Sequence, residues 1–256
     1  MTDQSASFDR DLADLIEKIQ ALPDDWHGVG SVNTNVLRAI ARHAQRIGKI
    51  SNSVETGSGK TTLLFSHLSA QHLVFALDEG DSISKVRTSP LFNADNVTFI
   101  EGLTQVSLPR YSFPHKVQIA LIDGPHGYPF PDLEYFYLYP ILESGGLLLI
   151  DDIKIPTIRR MFEIVRADDM FELIELVDDN TAFFRRTEVP CVSLTSDSWW
   201  RQGYNKDYYR GLSEEPVMSP MHSRLVSAYR FLSRLAPGFV TALVPKSFKE
   251  KIWKRL

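Results

Sequence analysis

Apolar residues recur at two different periods along this chain, and the change of period divides it into three parts. In residues 1–50 the period is helical. Leu12, Leu15, Ile16 and Ile19 share one helix face, and Val36, Leu37, Ile40 and Ala44 share another. The segment PDDWHGVGS between them has the composition of a loop. In residues 51–187 short apolar runs alternate with longer helical stretches. Strands are predicted over Ile50–Glu55, Leu73–Asp78, Val97–Glu101, Val117–Asp123, Gly146–Asp151, Phe171–Val177 and Ala182–Arg186. The early strands are near-continuous apolar runs, as expected where helices cover both faces of a parallel sheet. The last two are joined through DDNT, a turn-rich spacer, and read as an antiparallel hairpin. Strand and helix in alternation, closed by a hairpin, predict a doubly wound α/β sheet. Residues 188–256 break the rhythm with a polar and aromatic stretch, SDSWWRQGYNKDYYRG, followed by two predicted helices.

Composition narrows the setting. The chain has 256 residues, 43% of them hydrophobic, enough for one sizeable core with extensions. A net charge of −4 argues against wholesale nucleic-acid binding. Cys191 is the only cysteine, which excludes an intrachain disulfide and suits a reducing compartment. The first residues carry acids where a signal peptide carries bases, and no uncharged apolar run approaches the roughly 18 residues of a membrane span. A soluble, cytoplasmic protein is expected.

The stretch SVETGSGKTT carries the first candidate chemistry. Gly59, Lys60 and Thr61 match the end of a phosphate-binding P-loop. The glycine that opens such a loop would fall at position 54, where the chain has Val54 inside a predicted strand. The alternative parse is Glu55-x-Gly57-x-Gly59-x-Thr61 after a strand. Glycines there let the backbone turn tightly and approach a ligand as a helix begins, with Ser58 inside the turn. Glu55 would bring negative charge to the strand tip and attract a cationic ligand group. Asp78 lies 19 residues beyond Gly59, followed by Glu79. An acid about 20 positions after such a turn can hold ribose hydroxyls, and Asp78 is favoured over Glu79.

These residues together resemble a class I S-adenosylmethionine-dependent methyltransferase over roughly 50–187. VETGSGKTT is similar to that family's first motif, FALDEG to its second, and VTFIEG to the region after its third strand. The stretch IALIDGPHGYPFPDLEYFYLYPILESGGLLLIDDI is the most specific. Its D-G-x-H-x-Y turn and G-G…D-D run resemble a subgroup that includes small-molecule and sugar O-methyltransferases. The resemblance implies a Rossmann-like, mostly parallel seven-stranded sheet with an antiparallel last strand. It implies S-adenosyl-L-methionine as cofactor, with Glu55, Gly57 and Gly59 around its methionine part and Asp78 or Glu79 on the ribose. Glu101, Gly102 and Leu103 would lie near the adenine. Many members have an acid where this chain has Leu103.

Further acids sit at predicted strand ends: Asp123 after the fourth, Asp151 and Asp152 after the fifth. Such tips converge on one edge of a parallel sheet. Crowded carboxylates repel unless a cation or hydrogen bonds offset the charge, and Mg²⁺ would suit three oxygen donors. Catechol-type and several sugar O-methyltransferases resemble this arrangement. His126, three residues after Asp123, is the candidate base for an acceptor hydroxyl, with Asp123 beside it. Strand-end acids also cap helices and solvate loops, and a loop histidine also serves to bond backbone.

The chain ends carry less. Ser31 and Thr34 are both candidates to cap the second helix. Trp199, Trp200, Tyr204, Tyr208 and Tyr209 would stack on an acceptor, line a homo-oligomer interface, or pack the tail on the core. Residues 216–256 hold eight basic residues against one acid, Glu250, on amphipathic patterns. Such helices lie on anionic membrane surfaces, or pack on the core or a neighbouring subunit.

The reading is therefore a helical cap (1–50), a cofactor-binding core (51–187) and an extension (188–256). The expected activity is methyl transfer to a hydroxyl on a small molecule, sugar or glycoconjugate. The rivals are a P-loop nucleotide hydrolase or kinase, and a non-catalytic interaction module on the same fold.

Overall fold

The computed structural model describes residues 2–23, 26, 32–192, 197, 199–206, 208 and 210, with the backbone alone for residues 2–9. Its contacts divide the chain into two units, Met1–Tyr204 and Asn205–Leu256. Ser31, Tyr209 and the basic 216–256 segment lie outside the described residues.

Seven strands form one sheet: β1 (Ile50–Thr56), β2 (Ser69–Ala76), β3 (Val97–Glu101), β4 (Val117–Ile122), β5 (Leu142–Ile150), β6 (Phe171–Val177) and β7 (Thr181–Arg186). Their order is β3-β2-β1-β4-β5-β7-β6. The first five are parallel, and β7 runs antiparallel between β5 and β6. The seven-stranded, mostly parallel sheet and its closing hairpin are thus as the sequence predicts. The order reverses between β1 and β4, the switch point beside which doubly wound sheets bind ligands.

The helices are α1 (Thr2–Gln20), α2 (Thr34–Ile47), α3 (Lys60–Leu68), α4 (Ser82–Thr88), α5 (Thr104–Ser107), α6 (Phe130–Leu138) and α7 (Pro156–Arg166). Strand alternation sorts the core into two layers. Ile119 and Leu121 of β4, with Leu147 and Leu149 of β5, face α1, α2 and α3. Ala120, Ile122, Leu148 and Ile150 face α6 and α7, where Leu138, Met161, Phe162 and Val165 meet them. The helical cap is therefore part of the main core: Leu12, Leu15, Ile16 and Ile19 pack with Leu37, Ile40 and Phe65.

Three local readings need correction. β2 starts at Ser69, four residues before the apolar run, and ends at Ala76, so Asp78 lies beyond it. At its start Ser69 and His72 are buried, and both bond the Ser53 hydroxyl, at 2.6 and 2.7 Å. β5 also starts early, at Leu142, four residues before the expected Gly146, with a register shift against β4. The cap of α2 is Asn33, whose side chain accepts from the Asn35 N–H at 3.2 Å, and Thr34 is the first helical residue.

Candidate active site

The strand ends open on one cleft of about 700 Å³. Its walls include Gly57, Ser58, Gly59 and Lys60 after β1, and Leu77 and Glu79 after β2. Gly102, Leu103 and Thr104 contribute after β3, Asp123, Gly124 and His126 after β4, and Asp151 and Asp152 after β5.

The glycine turn is built to bring two strands together. Gly57 has φ +86°, and a Cβ there would lie 2.2 Å from the Asp123 carbonyl oxygen. Only glycine allows that approach. Thr56 ties the same two loops, since its hydroxyl accepts from the Asp123 N–H at 3.1 Å and donates to Glu134 at 2.7 Å. Glu134, on α6, is 1% exposed and sits directly beneath Gly124. Burial pushes its carboxyl up to about 7, against the opposing bonds from Thr104 and Thr56. Sequence reasoning missed Thr56 and Glu134, and nothing in an aromatic-rich helix singles out one glutamate.

Glu55 is placed differently from the expectation. It is fully buried and faces away from the cleft. Its carboxylate accepts from the Thr61 hydroxyl at 2.6 Å and from the Thr62 hydroxyl, and pairs with His72 Nε2 at 3.1 Å. It anchors the first turn of α3 from inside and does not line the cleft.

The two ribose candidates separate. Asp78 accepts from the Ile83 and Ser84 amides (2.8 and 3.2 Å) and the Ser84 hydroxyl (2.7 Å), so it caps α4. The Ser84 hydroxyl is the main cause holding its carboxyl below the usual range. Glu79 lines the cleft, whereas Asp78 does not. After β3, Gly102 and Leu103 line the cleft, whereas Glu101 turns outward to Arg87 at 2.7 Å.

The acids after β4 and β5 gather, in a different grouping from the predicted one. Asp123, His126 and Asp152 each offer a ligand atom within 4.8 Å of the others. His126 Nε2 lies 3.1 Å from Asp152 Oδ2 and 3.8 Å from Asp123 Oδ1. Asp152 adopts φ +56° and accepts from Asn180 Nδ2 at 2.9 Å. Asp151 is held apart from the cluster, accepting the Thr181 hydroxyl and, at 3.5 Å, Asn180. His126 thus takes the place expected of Asp151.

Electrostatics assign states to this group. Pairing with Asp123 and Asp152 pushes the His126 imidazole up to about 10. Loss of water pushes Asp123 up to about 7, and the charges of Asp151 and Asp152 add to the rise. His126 holds Asp152 below the usual carboxylate range. The paired carboxylates thus favour the protonated imidazole, and burial favours the protonated form of Asp123.

The aromatic segment stands elsewhere. Trp199 and Trp200 meet edge to face with centroids 6.1 Å apart, and neither lines the cleft. Gly203 lies against the Ala167 carbonyl, where a Cβ would clash at 1.5 Å. In the second unit Tyr208 is exposed. Among the described residues, no helix is long and apolar enough to cross a membrane.

Comparison with known proteins agrees with this geometry. Residues 54–153 match the family model described as a methyltransferase domain. This stretch, from β1 to just beyond β5, supplies most of the cleft. Among solved structures, the chain is similar to the SAH-bound methyltransferase PaMTH1 of Podospora anserina. The TM-score is 0.51 at 15% identity, over 73% of this chain and 97% of that one. It is also similar to the cofactor-bound Rv0187 from MTB, with TM-score 0.51 and 11% identity over 70% and 89% of the two chains. A Klebsiella pneumoniae protein described provisionally as an O-methyltransferase gives TM-score 0.50 and 16% identity, over 70% and 89%. At these identities the likeness speaks for the fold. No curated protein matches the sequence.

Proposed function

We propose that the protein transfers a methyl group from S-adenosylmethionine to a hydroxyl of a small acceptor, a sugar or a glycoconjugate. The observation that carries this reading is the cleft at the β1/β4 switch point. There a glycine turn, Glu79, and the Asp123–His126–Asp152 cluster share one cavity, within the stretch that matches a methyltransferase-domain model. The residues suit the cofactor. Ser58 Oγ is a buried polar atom without a hydrogen-bond partner at the cleft wall, available to a ligand.

Bound in the cleft, S-adenosylmethionine would supply an electrophilic methyl group to the acceptor oxygen, with the carbon–sulfur electron pair leaving on sulfur. The hydroxyl proton must leave as the bond forms. Asp123, held near 7, receives it at neutral pH. Protonated His126, between two carboxylates, places positive charge where the oxygen becomes negative. The remaining task is alignment and exclusion of water. A second reading is favoured by the donor set: Asp123, His126 and Asp152 also fit a divalent cation such as Mg²⁺. Bound there, it would supply the charge that stabilises the acceptor oxyanion.

The test is transfer of labelled methyl from S-adenosylmethionine to a panel of hydroxylated acceptors, with added Mg²⁺ and with chelator. Turnover unchanged in chelator removes the metal reading. Cofactor binding without transfer to any acceptor favours the non-catalytic module. A reduced, intracellular setting and a small-molecule acceptor follow from this reading.

A further inference from the structure

The polar groups of the glycine turn face two ways. The hydroxyls of Thr61 and Thr62 point inward to Glu55. Ser58 and Lys60 instead line the cleft, 8% and 9% exposed. A lysine that buried is normally paired with a carboxylate. Lys60 is not: among the described residues no carboxylate lies within 4 Å of its ammonium. Glu55, the nearest acid in sequence, is already engaged by three other groups. The neighbouring Ser58 Oγ is buried and unpartnered. Lys60 also opens α3, a helix of nine residues, whose first-turn amides have no acceptor within the helix. The Gly59 amide is taken by the Thr62 hydroxyl at 3.0 Å, which leaves the turn from Lys60 onward to a ligand.

A lysine without a carboxylate partner, an unpartnered hydroxyl and a helix N-terminus on one wall call for an anion. The rest of the cleft is acidic, with Glu79, Asp123, Asp151 and Asp152, and the other lysine on its wall, Lys154, donates to the Asp178 carbonyl at 2.9 Å. A polyanion such as a triphosphate would meet that acidic field. A ligand bearing one carboxylate beside cationic groups is complementary to both sides.

We propose that Lys60 is a cofactor-binding residue. Its ammonium, with the Ser58 hydroxyl and the first-turn amides of α3, holds the α-carboxylate of the cofactor's amino-acid portion. The proposal rests on the cofactor reading above and deepens it, because it turns the lysine of a P-loop-like sequence into a carboxylate site.

The test is calorimetric titration of the full chain and of Lys60→Met and Lys60→Arg with two ligands. One is S-adenosylhomocysteine, and the other is its decarboxylated analogue, identical but for the missing carboxylate. Lys60→Met should bind S-adenosylhomocysteine about tenfold or more weakly, as for loss of a charge-assisted hydrogen bond. It should bind the decarboxylated analogue as the parent chain does, and Lys60→Arg should recover part of the loss. Equal weakening for both ligands would overturn the proposal, since Lys60 would then act through the fold. Unchanged affinity for S-adenosylhomocysteine with a raised acceptor KM would also overturn it, placing the anion on the acceptor. If the parent chain binds neither ligand, the cofactor reading itself fails, a result separate from any difference between variants.

Discussion

Replacing Gly57 by alanine tests how closely the cleft depends on the contact between the β1 and β4 loops. Two costs are readable from the structure. The φ of +86° is unfavourable for any residue with a Cβ, at about 1–2 kcal/mol. The larger cost is steric. The new Cβ would lie 2.2 Å from the Asp123 carbonyl oxygen, where an ordinary carbon–oxygen contact is about 3.3 Å. The loops would have to part by about 1 Å. Gly57 N–H is bonded to the Phe75 carbonyl at 2.9 Å, and Thr56 pairs in register with Ile122, so neither side yields easily. Gly57→Ala should therefore lose more than about 3 kcal/mol of stability. It should also lose about 100-fold in methyl transfer, because displacing Asp123 by 1 Å misplaces the acceptor's proton acceptor. Gly102→Ala is the matched control. Gly102 also lines the cleft at positive φ, +136°, yet a Cβ there meets nothing within 4 Å. It should cost only the backbone strain, about 1–2 kcal/mol. Urea denaturation of both variants and titration with S-adenosylhomocysteine give the comparison. Equal losses in the two variants, or a Gly57→Ala protein that keeps its cofactor affinity, would refute the steric argument.

Other expectations follow from the buried acids and the turn. Glu134 rises from its ordinary 4.5 to about 7, so its contribution is fully present below pH 4.5 and is lost as pH rises through 7. Glu134→Gln should lack that fall and gain about 3 kcal/mol on the parent chain between pH 4.5 and pH 8, measured by denaturant titration at each pH; parallel pH profiles would contradict it. If Asp123 accepts the proton while His126 stays charged, kcat/KM should rise through about pH 7 and fall through about pH 10, as macroscopic values of a coupled pair. Asp123→Asn should abolish the lower limb together with most of the activity. In thermal-shift measurements ATP should leave the melting temperature unchanged while S-adenosylhomocysteine raises it; a shift with ATP alone would restore the P-loop reading.

Much of the fold was legible because the strands of a parallel sheet are apolar on both faces. Val117–Ile122 and Leu147–Ile150 announce themselves, and the DDNT spacer marks the hairpin. What escaped was polar burial. The first half of β2 reads as loop because Ser69 and His72 are polar, yet both are satisfied by Ser53 inside the sheet. The same blindness applies to the site. Sequence places Glu55 at a strand tip but cannot say which side of the turn it faces, and two threonines one turn later draw it inward. It places Asp78 and Glu79 side by side, and cannot show that Asp78 is taken up by the first turn of α4 while Glu79 lines the cleft. Thr56 and Glu134 act through a contact 78 residues apart in sequence, which no local pattern encodes.

Isothermal titration of the full chain with S-adenosylhomocysteine probes the cofactor reading most directly. Saturable binding of one molecule per chain, strongly weakened in Gly57→Ala, is the expected result. Absence of binding by the folded parent chain would contradict a methyl-transfer role for this cleft.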